Sequence, residues 1–319
     1  MQVLPKVSVL IPTYNYAHFL DESIQSVLNQ TFTDFELIIV DNCSTDHTAE
    51  VVQKYLIDKR ISYYKNSTNI GMIPNYNKCL EYAKAEYIKY LCGDDKFHPQ
   101  LLEKFVPVMD EYPNVYIVTS NSEMFGSRTK KREAPFKYLQ EGKKVIYESL
   151  KEGRGNWIGE PTVVMFRKSA LKVGKFATDP NLSGLNDWEM WLRMLTVGDC
   201  YIIPETLSYF RAHTSQFSAK NLNNFNFTFQ DYYFYKLIET KNVYNIDLSK
   251  ISIDKIVKKR ATYCSHIMYK ILPELYKKKS RQIFRRAFKI AYSEGVIGKE
   301  FFLELFNVFK RNTVGKVFK

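Results

Sequence analysis

Four short apolar segments in the N-terminal third of the chain each stop at a polar or acidic group, and this repetition constrains the fold more than any other feature. VSVLIP (Val7–Pro12) runs into Thr13-Tyr14-Asn15, and FELIIV (Phe35–Val40) into Asp41-Asn42. The weaker ISYYK (Ile61–Lys65) is followed by Asn69-x-Gly71, and YIKYL (Tyr87–Leu91) by Gly93-Asp94-Asp95. Apolar runs this short suit strands buried on both faces of a parallel sheet. Between the first two, Phe19, Leu20, Ile24, Val27 and Leu28 recur on one helical face, which makes a strand–helix–strand unit. A second helix is expected after Ser44–Thr48, and Pro74 suits the first turn of a third. The alternation continues to about residue 120. The fold class is therefore α/β, a mostly parallel sheet flanked by helices.

Residues 121–160 are rich in Lys, Arg, Glu and Gly and are expected to form long loops flanking a cleft. Beyond them Thr162–Phe166 reads as a strand, and Trp188, Trp191, Leu192 and Leu195 mark a helix that starts beside Asp187. From about residue 220 the pattern turns helical and aromatic. Charge divides at the same place. Residues 220–319 hold 21 Lys/Arg against 8 Asp/Glu, whereas residues 1–219 are nearly balanced at 25 against 26, so the net +12 belongs to the tail. This asymmetry predicts two parts, an α/β domain over 1–219 and a smaller, basic, mainly helical region over 220–319.

Composition removes several classes. With 45% hydrophobic residues, 23 Tyr and 22 Phe, the chain is too apolar to be disordered. No stretch approaches the about 18–20 apolar residues of a membrane-spanning helix, and the N-terminus enters a strand pattern without a signal-peptide layout, so a cytoplasmic protein is expected. Five scattered cysteines without a CxxC pair read as reduced thiols.

In an open α/β sheet, ligands bind beyond the carboxyl ends of the strands, where all four polar endings would converge. Asp94 and Asp95 put two adjacent carboxylates at one of these endings. Asp41 sets a carboxylate acceptor at one strand end and Tyr14 an aromatic ring at another. Each feature also has a plainer reading. Ser44 and Asp46 suit helix caps, Asp41 less so, Gly-Asp-Asp is a common turn, Asp187 suits an N-cap, and Arg211 with His213 suits a solvated loop.

Taken in order, VSVLIPTYN, IIVDNCSTDHT, NIGMIPNYN and YLCGDDKFHP, followed by GLNDWEMWLRM and IPETLSYFRAH, resemble the motifs of the family 2 glycosyltransferases. The likeness covers about residues 5–215 and leaves out the tail. It implies a GT-A fold with a Rossmann-like sheet, and inverting transfer of a hexosyl or N-acetylhexosaminyl group from a nucleotide sugar, with a UDP-sugar the expected donor. By the same resemblance Thr13, Tyr14 and Asn15 line the nucleoside pocket and Asp41 accepts from the base. Asn69, Asn77 and Asp95 contact the donor, and Asp94 with His213 binds Mn2+ or Mg2+. Arg211 grips the diphosphate, and Asp187 is the general base, with Glu189 the second choice. Two positions depart from the family pattern: Cys92 stands where Asp-x-Asp-Asp begins, and Asn186 where Glu usually precedes the base. The alternative they suggest is a catalytically weak nucleotide-sugar-binding or scaffold protein.

The expected acceptor is a glycan, a lipid-linked glycan or a cell-surface polymer. In the tail, Ile283, Phe284, Ala287, Phe288 and Ala291 share an apolar face opposite Arg281, Arg285, Arg286 and Lys289, and Phe301, Phe302, Leu305, Phe306 and Phe309 continue the pattern. Such a face suits either an anionic membrane surface or an oligomer contact. Nucleic acid is not expected, because no recognition motif accompanies the charge.

Overall fold

The computed structural model describes residues 4–151, 155–214, 216, 225–275, 277–297 and 302. The described residues belong to two compact units, Met1–Gln216 with Tyr244–Ile246, and Phe217–Val243 with Asp247–Lys319.

In the first unit, β1 (Val7–Thr13), β2 (Phe35–Asp41), β3 (Ile61–Lys65) and β4 (Tyr87–Tyr90) occupy the four apolar runs. They pair in parallel in the order β3-β2-β1-β4. The chain steps outward from β1 to β2 and β3, then returns to the other side of β1 as β4. That reversal opens a crevice beyond the carboxyl ends of β1 and β4, where such sheets bind ligands. The helices α1 (Ala17–Leu28), α2 (Thr48–Gln53), α3 (Met72–Tyr82) and α4 (Leu101–Glu111) follow successive strands. Leu20, Ile24 and Val27 of α1 join Val9, Ile11, Leu37, Ile39 and Phe105 in a single buried cluster. Each such aliphatic side chain contributes about 1.5–3 kcal/mol through burial.

The sheet extends further than the sequence indicates. A two-residue strand, β5 (Lys96–Phe97), precedes α4. After it come β6 (Val115–Gly126), β7 (Lys130–Arg132), β8 (Tyr138–Gln140), α5 (Gly142–Leu150) and β9 (Met165–Arg167). Antiparallel β9 bridges β4 to β6, and β6 lies parallel to β10 (Asp199–Ala212), which pairs with β5 and β8. The expected long loops over 121–160 are thus largely ordered. Ser120 and Ser122 are buried in the middle of β6, and beyond Ser122 the strand is only partly buried, so its apolar signal fades there. In α5, lysines beside Val145, Ile146 and Leu150 obscure the buried face. The strand expected at Thr162–Phe166 forms only at Met165–Arg167. β10 carries Pro204 where its register with β6 shifts between Ile203 and Thr206, the kind of irregularity that tolerates a proline.

In the second unit, α7 (Asn226–Lys241), α8 (Ile253–Ile271) and α9 (Lys278–Ser293) pack with α8 against both others. On α9 the buried positions are Ser280, Ala287, Ile290 and Ala291, while Phe284, Phe288 and Tyr292 stack along the helix at 6.3 and 5.9 Å. Arg286 does not share the basic face expected for it: its guanidinium lies over Phe229 and Tyr233 of α7, at 4.5 and 5.2 Å. Of the five aromatic and aliphatic positions named beyond α9, Phe302 is exposed, and Phe301, Leu305, Phe306 and Phe309 lie outside the described residues. Among the described residues no helix is long and apolar enough to cross a membrane.

Gly142 opens α5 against the end of α6 (Asn186–Met194), where an added Cβ would stand 2.1 Å from the Gly198 carbonyl and 2.4 Å from that of Leu195. Backbone cannot swing aside as a side chain can. Gly142→Ala is therefore expected to destabilise the first unit by about 1–3 kcal/mol, as overpacking does, read as a lower denaturation midpoint. An unchanged midpoint would contradict this packing.

Candidate active site

The four strand endings meet at the crevice. Thr13 closes β1, and its buried hydroxyl has no hydrogen-bond partner among the described residues. An added Cβ at Gly93 would come within 3.2 Å of that hydroxyl, so Gly93 lets the turn after β4 lie close against β1. Tyr14 is exposed at the rim. Asn15, at φ 55°, donates its N–H to Ser44 Oγ at 2.9 Å and accepts from Thr45 N at 2.9 Å, which ties the β1 ending to the β2 ending.

Asp41 is fully buried, with Oδ1 accepting from Ser44 N at 2.8 Å and Oδ2 from Tyr63 OH at 2.7 Å. Each carboxylate oxygen can accept a second hydrogen bond. Asp46 caps two helices, accepting from Ala17 N at 3.0 Å and Thr48 N at 3.1 Å. Those bonds and the Thr48 hydroxyl outweigh its partial burial and hold its carboxyl below the usual range.

Two asparagines named from sequence are already engaged. Asn69 Oδ1 accepts from Asn42 Nδ2 at 2.8 Å and Gly71 N at 2.9 Å, shaping the loop before α3. Asn77 exchanges two hydrogen bonds with the Phe176 backbone, at 2.9 and 3.0 Å.

The acidic turn is the most heavily supported feature. Asp95 is fully buried. Its Oδ1 accepts from Arg211 N at 2.9 Å, its Oδ2 from Thr162 Oγ1 at 2.6 Å, and its carbonyl from Ser23 Oγ at 2.7 Å. Burial first, then the neighbouring Asp94, pushes its carboxyl well above the ordinary range. Asp94 Oδ2 lies 2.9 Å from His213 Nε2, and Phe19 packs on the imidazole at 4.8 Å. Arg211 donates Nε to the Asp94 carbonyl at 2.7 Å and pairs with Glu22 of α1, its guanidinium held between Phe19 and Phe125 at 4.7 and 4.3 Å. With those nitrogens committed, Arg211 braces the turn more than it offers the two-armed fork read from sequence.

Ligand atoms of Cys92, Asp94 and Asp95 lie within 4.8 Å of one another. His213, 2.9 Å from Asp94, adds a nitrogen beside this group, so Asp94 and His213 could hold a cation between them. Each Asp95 oxygen already accepts one hydrogen bond, and the Cys92 thiol, 3.2 Å from Tyr76 OH, is driven well above its ordinary pKa mainly by burial and is the wrong chemistry for a hard ion.

Asp187 stands in the first turn of α6, where its Oδ1 accepts from Trp188 N at 2.7 Å and its Oδ2 from Asn156 Nδ2 at 3.3 Å. It is partly exposed, yet its environment pushes its carboxyl up to about 7. Burial is the largest cause. The Trp188 N–H and Arg132 oppose the rise, and Glu160 adds to it. Glu189 is not available as a base, because it is buried in a two-bond pair with Arg193 at 2.6 and 2.9 Å.

Sequence reading missed Thr162, Glu160 and Lys89. Thr162 Oγ1 both donates to Asp95 and accepts from Cys92 N at 3.1 Å. Lys89, fully buried in β4, donates to the carbonyls of Thr162, Tyr90 and Val164 and lies 4.6 Å from the Phe97 ring centre. Burial lowers its pKa well below the usual value. The one signal for this loop was an acid set between glycine and proline in Gly159-Glu160-Pro161.

The profile of the family described as "Glycosyl transferase family 2" matches residues 8–174, and the chain belongs to that family. A putative teichuronic acid biosynthesis glycosyltransferase, TuaG of Bacillus subtilis (strain 168), is 31% identical over 218 residues, covering 67% of this chain and 82% of TuaG. Among solved structures, S. aureus TarS 1-349 in complex with UDP-GlcNAc aligns with a TM-score of 0.57 at 16% identity, covering 91% of this chain and 92% of that one. A Pyrobaculum calidifontis mannosyltransferase in complex with GDP-Man and Mn2+ aligns at 0.54 and 15%, covering 92% and 87%. The fold is of the GT-A type and the chain is a glycosyltransferase.

A carboxyl raised to about 7 in the folded protein makes a pH-dependent contribution to stability. Folding favours its protonated form, so that stability is present at low pH and is lost as pH rises from the unfolded value of 3.8 through about 7. Asp187→Asn stays neutral throughout. Its melting temperature should match wild type near pH 4 and exceed it increasingly up to pH 7; a gap independent of pH would contradict the burial of this carboxyl.

Proposed function

We propose that the chain transfers a hexosyl or N-acetylhexosaminyl group from a UDP-sugar to a hydroxyl of a glycan, lipid-linked glycan or cell-surface polymer, with inversion at the anomeric carbon. The observation that carries this reading is the placement of Asp187, a partly exposed carboxyl in the first turn of α6 held by Trp188 N and Asn156 Nδ2, in surroundings whose burial pushes it up to about 7. A general base works best when its pKa lies near the operating pH. The relatives support the class of donor and acceptor: TarS binds UDP-GlcNAc, and TuaG is named for teichuronic acid biosynthesis.

In this reading Thr13, Tyr14 and Asn15 receive the nucleoside, with the orphaned Thr13 hydroxyl finding its partner there, and Asp41 accepts from the imide of uracil. Asp94 and His213 hold a divalent cation, Mn2+ or Mg2+, which offsets the charge of the departing diphosphate. Asp95 stays in the turn, fixing Arg211 and Thr162 around it, while Asn69 and Asn77 shape the pocket through their loops. The acceptor oxygen bonds to the anomeric carbon on the face opposite the diphosphate. The bond from that carbon to the diphosphate oxygen breaks with its electron pair on oxygen, and the hydroxyl proton passes to Asp187. The scaffold alternative has less support, since the matching family and the named relatives are glycosyltransferases.

Asp187→Asn should lower turnover by roughly 10² to 10⁴-fold, the range of general acid–base catalysis, while UDP affinity stays nearly unchanged. Unchanged turnover, or an equal loss of UDP binding, would remove Asp187 from this role.

A further inference from the structure

The loop from Asn156 to Thr162 is fastened to the base. Asn156 Nδ2 donates to Asp187 Oδ2 at 3.3 Å and to the Gly159 carbonyl at 3.3 Å, while Gly159 N donates back to Asn156 Oδ1 at 3.1 Å. The same carbonyl accepts from Trp191 Nε1, one turn along α6 from Asp187, at 2.8 Å. Gly159 sits at φ 130°, and a Cβ there would meet Val163 Cβ at 2.9 Å, so the loop passes where no other residue fits. Its next residue is Glu160. Arg132 of β7 holds Glu160 Oε2 at 2.7 Å and also donates to the Trp157 carbonyl. Glu160 remains 40% exposed, and its Oε1 makes no hydrogen bond among the described residues.

Glu160 is thus a second carboxylate on the wall that carries Asp187, pinned by one oxygen and presenting the other. The plain alternative is a surface ion pair, a common feature worth little energy. Three facts oppose it: the loop is bonded to the base itself, the glutamate's partner is anchored on backbone, and the negative charge is felt by both Asp187 and the buried Asp95.

Resting on the assignment of Asp187 as base, we propose that Glu160, held by Arg132, is a specificity-determining residue of the acceptor site. Its Oε1 accepts a hydrogen bond from the hydroxyl neighbouring the one that attacks. A pyranose carries adjacent hydroxyls, and a carboxylate accepts from one of them with the strength of a charge-assisted bond. The loop is also bonded to the turn after β4 through Thr162; the acceptor is the partner assigned to Glu160 because the preceding residues, Asn156 and Gly159, bond Asp187 itself and Trp191 one turn beyond it.

The test uses the full chain loaded with UDP and Mn2+ and reads binding of a panel of p-nitrophenyl hexosides and N-acetylhexosaminides by saturation-transfer NMR. At least one glycoside is expected to bind wild type and to bind Glu160→Gln about tenfold more weakly, with Glu160→Asp intermediate, while UDP affinity and melting temperature stay within error. UDP affinity serves as the check on folding. A panel that does not bind wild type, or binds Glu160→Gln equally well, overturns the proposal, as does a loss of UDP affinity that parallels the loss of sugar. Because binding is read rather than turnover, failure of Asp187 as base would appear only in the turnover of Asp187→Asn.

Discussion

Two adjacent acids in one tight turn, both buried, form the arrangement on which the rest of the site depends. Carboxylates removed from water are costly unless they are protonated, paired or hydrogen-bonded. Asp95 meets that demand by accepting from Arg211 N and Thr162 Oγ1 while its proton affinity rises, and Asp94 meets it with His213. These partners are remote in sequence: Arg211 and His213 lie at and just past the end of β10, and Thr162 in the loop before β9. A 14-residue strand that absorbs a proline and three register shifts is what carries Arg211 back to the turn after β4.

Lys89 belongs to the same economy of burial. Its amine gathers the carbonyls around Thr162 from inside β4 and so fixes the loop that holds Asp95 from one end and, through Gly159 and Asn156, touches Asp187 at the other. One loop therefore joins the acidic turn after β4 to Asp187 on α6 through a few hydrogen bonds.

How much of this could be read from sequence follows from where the information is local. The runs VSVLIP and FELIIV announce β1 and β2 because burial on both faces leaves only apolar residues, and the polar groups that end them locate the crevice. β6 and β10 escaped notice for the opposite reason. Ser120, Ser122 and Ser208 are buried through pairing to strands far along the chain, which no window of sequence reveals. Asp94, Asp95, Arg211 and His213 were legible as a set, and the structure brings them together. The engagement of Asn77 with Phe176, the pairing of Glu189 with Arg193 and the place of Glu160 depend on contacts between distant segments. In the tail, helical periodicity gave α9 but also set Arg286 on the basic face, whereas it lies over Phe229 and Tyr233.

The central claim is that the donor's diphosphate and its cation meet at the turn after β4. Anomalous diffraction at the manganese edge, from crystals grown with UDP and Mn2+, tests it most directly. The account predicts one manganese peak within coordinating distance of Asp94 and His213, with the uracil ring beside Asp41. UDP bound in the crevice with no manganese at Asp94, or manganese and UDP bound away from the β1 and β4 endings, would contradict it.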